Sequence, residues 1–239
     1  PQIYQDVVAV TRAADGALEL NGDGPPVEWL VHMHRFDDTM TLDHVVEREG
    51  LSPDLVARLA CAVATQHAKA PVRDALPWIR DLEIYLDQNR AAFRAHLDIF
   101  PSDRVAAFDQ VMRQNLARLE ALLEERGRLG AVRLLHGDLH LRNIVLIDDQ
   151  PVLFDALEFD DAVATGDQLY DLAFLLMDLL ARGARDAAFH VLRLYLLNLS
   201  ILDLRTPVIG RRIPLAGQFL PGLAALPFFI AMRAAIRAK

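Results

Sequence analysis

A polar loop followed by two short β runs interrupts an otherwise helical stretch of this sequence and limits the folds open to it. The segment is LLHGDLHLRNIVLIDDQPVLFDALEFDD, residues 134–161. IVLIDD and PVLFD are apolar runs of strand length, joined by a turn at Asp148 to Pro151. A hairpin places the residue before its first strand beside the residue after its second strand. The sequence therefore predicts that the end of the polar loop and Asp155 face one cleft.

Helix signals surround this segment. Ser52, Pro53 and Asp54 form an N-cap, a proline at the first helical position and an acid in the first turn. The predicted helices run from Pro53 to just before Pro71, from about Pro77 to His96, from Ser102 to Gly127, and from the N-cap Asp167 to the stop at Gly183. The remainder of the chain is helical and apolar in pattern.

The first 36 residues predict strands instead. DVVAVTR and VEWLVHMHRF are β-like runs, and Asp15-Gly16 is a hairpin signal between them. Helical character begins at Asp37. Because strands and helices are segregated along the chain, we expect an α+β fold with a strand part at residues 1–36 and a helical part at 37–239.

Composition narrows the classes of function. The chain has 239 residues, of which 53% are hydrophobic and 24% charged, enough to bury a sizeable core. Its net charge of −8 argues against a nucleic-acid partner and favours a cationic small molecule. The apolar run FLPGLAALPFFIAM is shorter than a membrane span of roughly 18 residues and is interrupted by Pro221, Gly222 and Pro227, so we expect a core helix and no membrane partner.

Three residues that could bind metal or react are assigned structural roles. The chain has one cysteine, which excludes an intramolecular disulfide, and we expect Cys61 to be a small core residue on a helix. A reducing, cytoplasmic setting is consistent with this cysteine usage. His32 and His34 alternate on a strand with no third ligand nearby, so we expect them on the strand surface.

The polar loop carries residue types suited to phosphoryl transfer. That reaction needs a carboxylate to orient or deprotonate the attacking hydroxyl, and oxygen ligands to hold Mg²⁺ against the phosphates. HGDLHLRN supplies Asp138 for the first task and Asn143 for the second, and FDALEF supplies Asp155 as the stronger metal ligand. A loop in which these residues merely cap turns is the alternative.

LLHGDLHLRNIVL, PVLFDALEF and GDQLYDLAFLL together resemble the aminoglycoside phosphotransferase and choline kinase-like family, a branch of the protein-kinase-like fold. The resemblance implies a two-lobed fold with a β N-lobe, here truncated, and a mainly helical C-lobe. It implies ATP and Mg²⁺ as cofactors, Asp138 as the catalytic base, and Asn143 and Asp155 as the Mg²⁺ ligands.

The resemblance extends to residues around these three. It implies structural roles for His136, Asp167 and Asp171, while His140 falls at a variable position where we expect no direct catalytic role. VEWLVHMHRF lies where the family has its last N-lobe strand and hinge. Backbone groups of Met33, His34 and Arg35 are therefore implied to meet the adenine.

Two parts of a complete kinase-like ATP site are missing from the sequence. It contains no Gly-x-Gly-x-x-Gly loop, and its lysines, Lys69 and Lys239, do not lie in a strand. The chain starts without Met and ends within an amphipathic pattern, so we expect a fragment that lacks the first part of the N-lobe. A degenerate kinase is the alternative. Some members of the family carry this domain fused to a P-loop domain, which makes further domains outside this sequence an expectation.

These residues predict an ATP-dependent phosphotransferase that acts on a hydroxyl of a small molecule, such as an amino sugar, an aminoglycoside-like compound or an amino alcohol. Glu158, Asp160 and Asp161 would attract a cationic acceptor, and a solvated turn is the alternative interpretation of them. Two other functions stay open. One is a non-catalytic kinase-like binding module. The other is a dinuclear metallophosphatase, which would need an early strand that ends in Asp-x-His and a Gly-Asn-His loop, and the sequence lacks both.

Overall fold

Strands come first in this chain and helices follow, and the structure separates them into two units. The structure is a computed structural model that describes residues 3–157, 159–205 and 220–239. The first unit is Pro1–Met40 and the second is Thr41–Lys239. The expected α+β class is confirmed, with the helices concentrated in the second unit.

The first unit is built on a three-stranded antiparallel sheet in the order β2-β1-β3. The strands are β1 (Tyr4–Arg12), β2 (Leu18–Leu20) and β3 (Pro26–Met33). Val10 pairs with Leu20, and Val8 with Leu30. The hairpin signal at Asp15-Gly16 is confirmed, since Gly16 has a φ of +88° and its N–H donates to Ala13 O at 2.9 Å.

The described part of the second unit contains eight α-helices. They are α1 (Leu42–Glu49), α2 (Pro53–Lys69), α3 (Ala75–Arg94), α4 (Ser102–Arg128), α5 (Asp161–Ala164), α6 (Gln168–Ala181), α7 (Arg185–Arg205) and α8 (Leu226–Ala238). The predicted N-caps are confirmed: the Ser52 side chain accepts from Leu55 N at 3.2 Å and Asp167 from Leu169 N at 2.7 Å. Helix α3 begins before the predicted Pro77 because Asp74 caps it by accepting from Leu76 N.

Two small two-stranded sheets flank the helices. The predicted hairpin is confirmed as β5 (Ile144–Ile147) and β6 (Gln150–Leu153), paired antiparallel from Ile144 opposite Leu153. Asp148 and Asp149 form its turn with φ values of +50° and +59°, a left-handed conformation that Asp tolerates well. The second sheet pairs β4 (Val132–Leu134) with β7 (Thr165–Asp167). β7 was not predicted, because its sequence TGD has no apolar alternation.

Helix α6 is the centre of the second unit. All of its residues from Gln168 to Leu179 are buried, as expected of a helix enclosed on every side. It packs against α7, α8 and the 3₁₀ turn at Leu141–Asn143. Tyr170 of α6 meets Trp78 of α3 and Phe229 of α8 at ring distances of 5.7 and 5.4 Å. The polar loop therefore rests on a helix that is buried along nearly its whole length.

The C-terminal apolar segment is a core helix, as predicted. Residues Leu220–Ala238 are long and apolar enough to cross a membrane by length and composition alone. In the folded chain, however, Phe228, Phe229 and Met232 are buried in the hydrophobic core shared with α3 and α6. Burial in the core accounts for the apolar composition of the segment.

The prediction that Cys61 is a core residue is wrong, although its place on a helix is right. Cys61 is exposed on α2. The buried stripe of that helix includes Leu59, Ala60, Val63 and Ala64. With 3.6 residues per turn, position 61 falls on the side away from this stripe.

Candidate active site

Asp138 lies in the loop that follows β4, with its side chain 34% exposed. The carboxylate accepts hydrogen bonds from Asn143 Nδ2 at 3.1 Å and from His140 Nε2 at 3.3 Å. Burial alone would raise the pKa of Asp138, but the hydrogen bond from His140 outweighs it and holds the pKa below its ordinary 3.8. Asp138 is therefore an ionised acid at neutral pH, reachable from solvent and held by two donors.

Asn143 connects the loop to the hairpin. Its Nδ2 donates to both the backbone oxygen and the carboxylate of Asp138, at 3.0 and 3.1 Å. Its backbone oxygen accepts from Phe154 N at 3.0 Å, which extends the β5-β6 ladder by one bond. Because Nδ2 faces Asp138, the amide oxygen Oδ1 lies on the other side of the planar group.

Asp155 directly follows Phe154 at the same end of the hairpin. It is exposed and has a φ of +60°, in the same left-handed region as the turn residues Asp148 and Asp149. The hydrogen bond between Phe154 and Asn143 shows that the backbone at Asp155 lies next to the end of the polar loop. The structure thus brings Asp138, Asn143 and the Asp155 backbone to one end of the hairpin.

His136 has the structural position that the resemblance implies. It is 1% exposed, and its Nε2 donates to Phe154 O at 2.8 Å. Burial lowers the pKa of His136 below its ordinary 6.5 and keeps the ring neutral. The side chain therefore ties the start of the loop to the end of β6.

His140 has a larger part in the site than its variable motif position suggests. It is 6% exposed, donates to the Asp138 carboxylate, and stands edge-on to Phe174 at a ring distance of 5.4 Å. Its position two residues after Asp138 was the available sequence signal. The geometry makes His140 a support for Asp138.

Two buried residues behind the loop were missed by the sequence interpretation. His67 of α2 is fully buried, and its Nε2 lies 3.1 Å from Asp171 Oδ2. Tyr195 of α7 completes the cluster, with its hydroxyl 2.7 Å from His67 Nδ1. A histidine on the apolar stripe of α2 was the only hint in the sequence, and it did not indicate a partner.

Two of the three acids proposed for an acceptor pocket lie among the described residues, and they make different contacts. Asp160 caps α5, because its carboxylate accepts from Ala162 N and Val163 N at 2.9 and 3.3 Å. Asp161 has a side chain that is 72% exposed and lies 3.4 Å from Arg73. Glu158 lies outside the described residues. For Asp160, which is exposed and caps a helix, these contacts favour the alternative interpretation of a solvated turn.

The predicted hinge residues Met33, His34 and Arg35 lie at the end of β3 and just after it in the first unit. The backbone N–H of His34 donates to Ile3 O at 2.8 Å, and its ring contacts Gln5 Nε2. His32 lies on the strand surface, 54% exposed and 3.0 Å from Asp6. The adenine-binding role of Met33, His34 and Arg35 stays a prediction.

The residues at the hairpin end fit the chemistry of magnesium. Mg²⁺ prefers oxygen ligands and is commonly bound by one or two protein groups together with substrate phosphates. The Asn143 amide oxygen and the Asp155 carboxylate are ligands of that kind. Within residues 3–157, 159–205 and 220–239, no three His, Cys, Asp or Glu side chains cluster as a metal site.

Comparison with known proteins finds relatives in sequence and in structure. Uncharacterised proteins of Mycobacterium tuberculosis and Mycobacterium bovis are 29% identical over 153 residues, which is 64% of this chain and 27% of each relative. The chain thus spans about a quarter of the length of those relatives. A solved glucosamine kinase superposes with a TM-score of 0.51 at 18% identity, covering 96% of this chain and 67% of that chain, and shows a shared kinase-like fold.

The model of the phosphotransferase enzyme family, APH, matches residues 5–197. This range includes the polar loop, the hairpin and helix α6. The resemblance seen in the sequence is confirmed, and it leaves the dinuclear metallophosphatase without support. The chain belongs to the phosphotransferase enzyme family, APH.

Proposed function

We propose that this chain carries out ATP-dependent transfer of a phosphoryl group to a hydroxyl of a small molecule, with Mg²⁺ as the metal cofactor. The observation that supports this most strongly is the Asp138 carboxylate. It is ionised and partly exposed, and it is held by His140 and Asn143 in a loop that leads into the hairpin. An acid that only capped a turn would have no need of these two side-chain donors.

Each residue of the site has a different role in the proposed reaction. Asp138 accepts a hydrogen bond from the acceptor hydroxyl, orients its oxygen and takes up its proton. Asn143 holds Asp138 through Nδ2 and, with Asp155, would hold the magnesium. When bound, that ion neutralises charge on the phosphates of ATP. His136 and His140 keep the loop in place.

Asp138→Asn tests the catalytic role in the purified full-length protein. We expect kcat to fall by a factor of about 10² or more, because the asparagine cannot act as a base. ATP affinity, measured by calorimetry, should change little. Asp149→Asn is the matched control, since Asp149 lies in the turn at the other end of the hairpin and Asn also tolerates its φ of +59°. Full activity of Asp138→Asn would remove Asp138 as the base.

The acceptor is, in our proposal, a cationic hydroxyl compound such as an amino sugar or an amino alcohol. The net charge of −8 supports this class, and Asp161 supplies an exposed acid after the hairpin. One structural neighbour is a glucosamine kinase, so glucosamine is the first compound to test. The acidic charge also supports the absence of a nucleic-acid partner. A cytoplasmic location, the absence of a membrane partner and additional domains stay predictions.

A phosphorylation screen with ATP and Mg²⁺ over amino sugars, neutral sugars and amino alcohols tests the acceptor class. We expect a cationic acceptor whose KM rises with salt, because screening weakens its attraction to an acidic protein. Preference for a neutral sugar with no salt dependence would exclude the cationic class and leave the phosphotransferase proposal intact. Absence of transfer to every compound, with intact ATP binding, would favour the kinase-like binding module.

A further inference from the structure

Helix α6 presents two aspartates to the polar loop. Asp171 Oδ1 accepts a hydrogen bond from the backbone N–H of Gly137 at 2.9 Å. Asp178 Oδ2 accepts one from the backbone N–H of Leu141 at 3.0 Å. Residues seven positions apart lie on one face of a helix, two turns from each other. Their two hydrogen bonds therefore hold the loop on both sides of Asp138.

Both carboxylates lose hydration because they are buried, and both have cationic or hydrogen-bonding partners that compensate for this loss. Asp171 is 1% exposed and Asp178 is 8% exposed. Asp171 contacts His67 at 3.1 Å and Arg233 at 3.8 Å. Asp178 pairs with Arg182, one helical turn later, at 3.2 Å. A buried carboxylate held in this way is a strong acceptor for a backbone N–H.

Other contacts hold the two ends of the loop, through the His136 side chain and the Asn143 backbone oxygen, which both bond the backbone of Phe154. Gly137 has a φ of +80°, and a side chain there would press against Leu157. The donors that orient the Asp138 carboxylate, His140 and Asn143, belong to the same loop, so the orientation of Asp138 depends on how the loop as a whole is held. The buried helix α6 holds the loop backbone on both sides of Asp138, at Gly137 and at Leu141.

We propose that Asp178 is a positioning residue for catalysis, which acts with Asp171 as a two-point clamp on the backbone around Asp138. This inference rests on the proposed phosphotransferase function. A structural role for Asp171 follows from the family resemblance, whereas Asp178 lies beyond the matched motif. Without the Leu141 contact, the end of the loop shifts, and Asp138 is no longer aligned with the attacking hydroxyl.

The kinetic test compares Asp178→Ala, Asp178→Asn and a control in the full-length protein. Misplacement by a fraction of an ångström should lower kcat of Asp178→Ala by about 10- to 100-fold, with KM for ATP changed less than about twofold. Asp178→Asn keeps an acceptor oxygen for Leu141 and should restore most of kcat. The control is Asp109→Ala, because Asp109 also pairs with the arginine four residues later, Arg113, and its side chain is 16% exposed.

A second control separates the backbone contact from the ion pair. Arg182→Gln removes the cation but leaves the Asp178 carboxylate in reach of Leu141. We expect this variant to retain kcat within about threefold of the unaltered protein, since alignment of the loop is kept. A loss equal to that of Asp178→Ala would assign the effect to the ion pair and overturn the clamp.

Amide hydrogen exchange provides a measurement that does not depend on activity. The Leu141 amide should exchange at least about tenfold faster in Asp178→Ala, and the Asp109→Ala control should leave it unchanged. If Asp178→Ala does not fold, Asp178→Asn and Arg182→Gln carry the test, and both should keep Leu141 protected. Unchanged exchange in a folded Asp178→Ala, or faster exchange at Leu141 in both of the other variants, would overturn the proposal. Failure of the unaltered protein to transfer phosphate would reject the proposed function instead, because the exchange result is read without substrate.

Discussion

Asp155 is an exposed residue whose carboxylate is of the type that binds magnesium. Its φ of +60° lies in the left-handed region, which Asp adopts more readily than most residues with a side chain, as it does in the turn at Asp148 and Asp149. Asn143, by contrast, is 6% exposed, and both its side chain and its backbone make hydrogen bonds. Its Nδ2 donates to Asp138, and its backbone oxygen accepts from Phe154 N. At the scale of single residues, the two proposed metal ligands are therefore not equivalent.

This difference predicts unequal effects on metal-dependent ATP binding. Asp155→Ala should weaken Mg²⁺-dependent ATP binding more than Asn143→Ala, because a carboxylate is the stronger ligand for a hard cation. Asn143→Ala should in addition lower kcat, since it removes a donor to Asp138. Calorimetric titration of ATP at several Mg²⁺ concentrations measures the first effect, and steady-state kinetics the second. Small and equal effects of both substitutions on binding would argue against this pair as the metal site.

At the scale of secondary-structure elements, a buried ion pair joins α4 to the start of α6. Arg126 contacts both carboxylate oxygens of Asp167, at 2.6 and 2.7 Å, with the two side chains 2% and 0% exposed. Asp167 also caps α6 through Leu169 N. The long helix α4 thus holds the end of α6 from which Asp171 reaches the polar loop.

Removal of the arginine should be costly, because it leaves the Asp167 carboxylate buried without its cation. We expect Arg126→Met to destabilise the protein by about 3–5 kcal/mol, measured by urea denaturation. Arg113→Met is the comparison, because the Arg113 side chain is 35% exposed in its pairs with Asp87 and Asp109. This substitution should destabilise the protein by no more than about 1 kcal/mol. Similar losses of unfolding free energy for the two substitutions would contradict the argument that burial makes the loss of Arg126 more destabilising.

At the scale of the whole molecule, α8 completes the core of the second unit although it is the last helix of the chain. Phe229 is fully buried and meets the rings of Trp78 and Tyr170 at 6.1 and 5.4 Å. Arg233 of the same helix lies over the Tyr170 ring at 3.9 Å and donates to Tyr170 O. The helical segment that is long and apolar enough to cross a membrane thus contributes to the core of the fold.

A core position for α8 predicts a large effect of truncating its buried aromatic ring. Phe229→Ala should lower the free energy of unfolding by about 3–5 kcal/mol, through lost burial and the cavity left behind. Ile230 of the same helix is only partly buried, so Ile230→Val should cost no more than about 1.5 kcal/mol. Thermal and urea denaturation of the two variants measure the difference. An unchanged midpoint for Phe229→Ala would mean that α8 is not packed in this way.

The sequence by itself determined those parts of the protein that depend on neighbours along the chain. N-caps at Ser52 and Asp167 and the apolar runs of the hairpin are local signals, and each appears where it was predicted. The end of the polar loop and the backbone of Asp155 come together for the same reason, since a hairpin connects them.

Only the tertiary structure decided which distant side chains support that loop. His67 and Asp171 are 104 residues apart in the sequence, and Leu141 and Asp178 are 37 apart. Hydrophobic periodicity indicates that a residue faces the core, as at His67, but not which partner it contacts there. The sequence interpretation also placed Cys61 in the core, although the residue is exposed. The physical reason is that a buried polar group is stabilised by a specific hydrogen-bond partner, and the packing of α2, α6 and α7 alone brings those partners together.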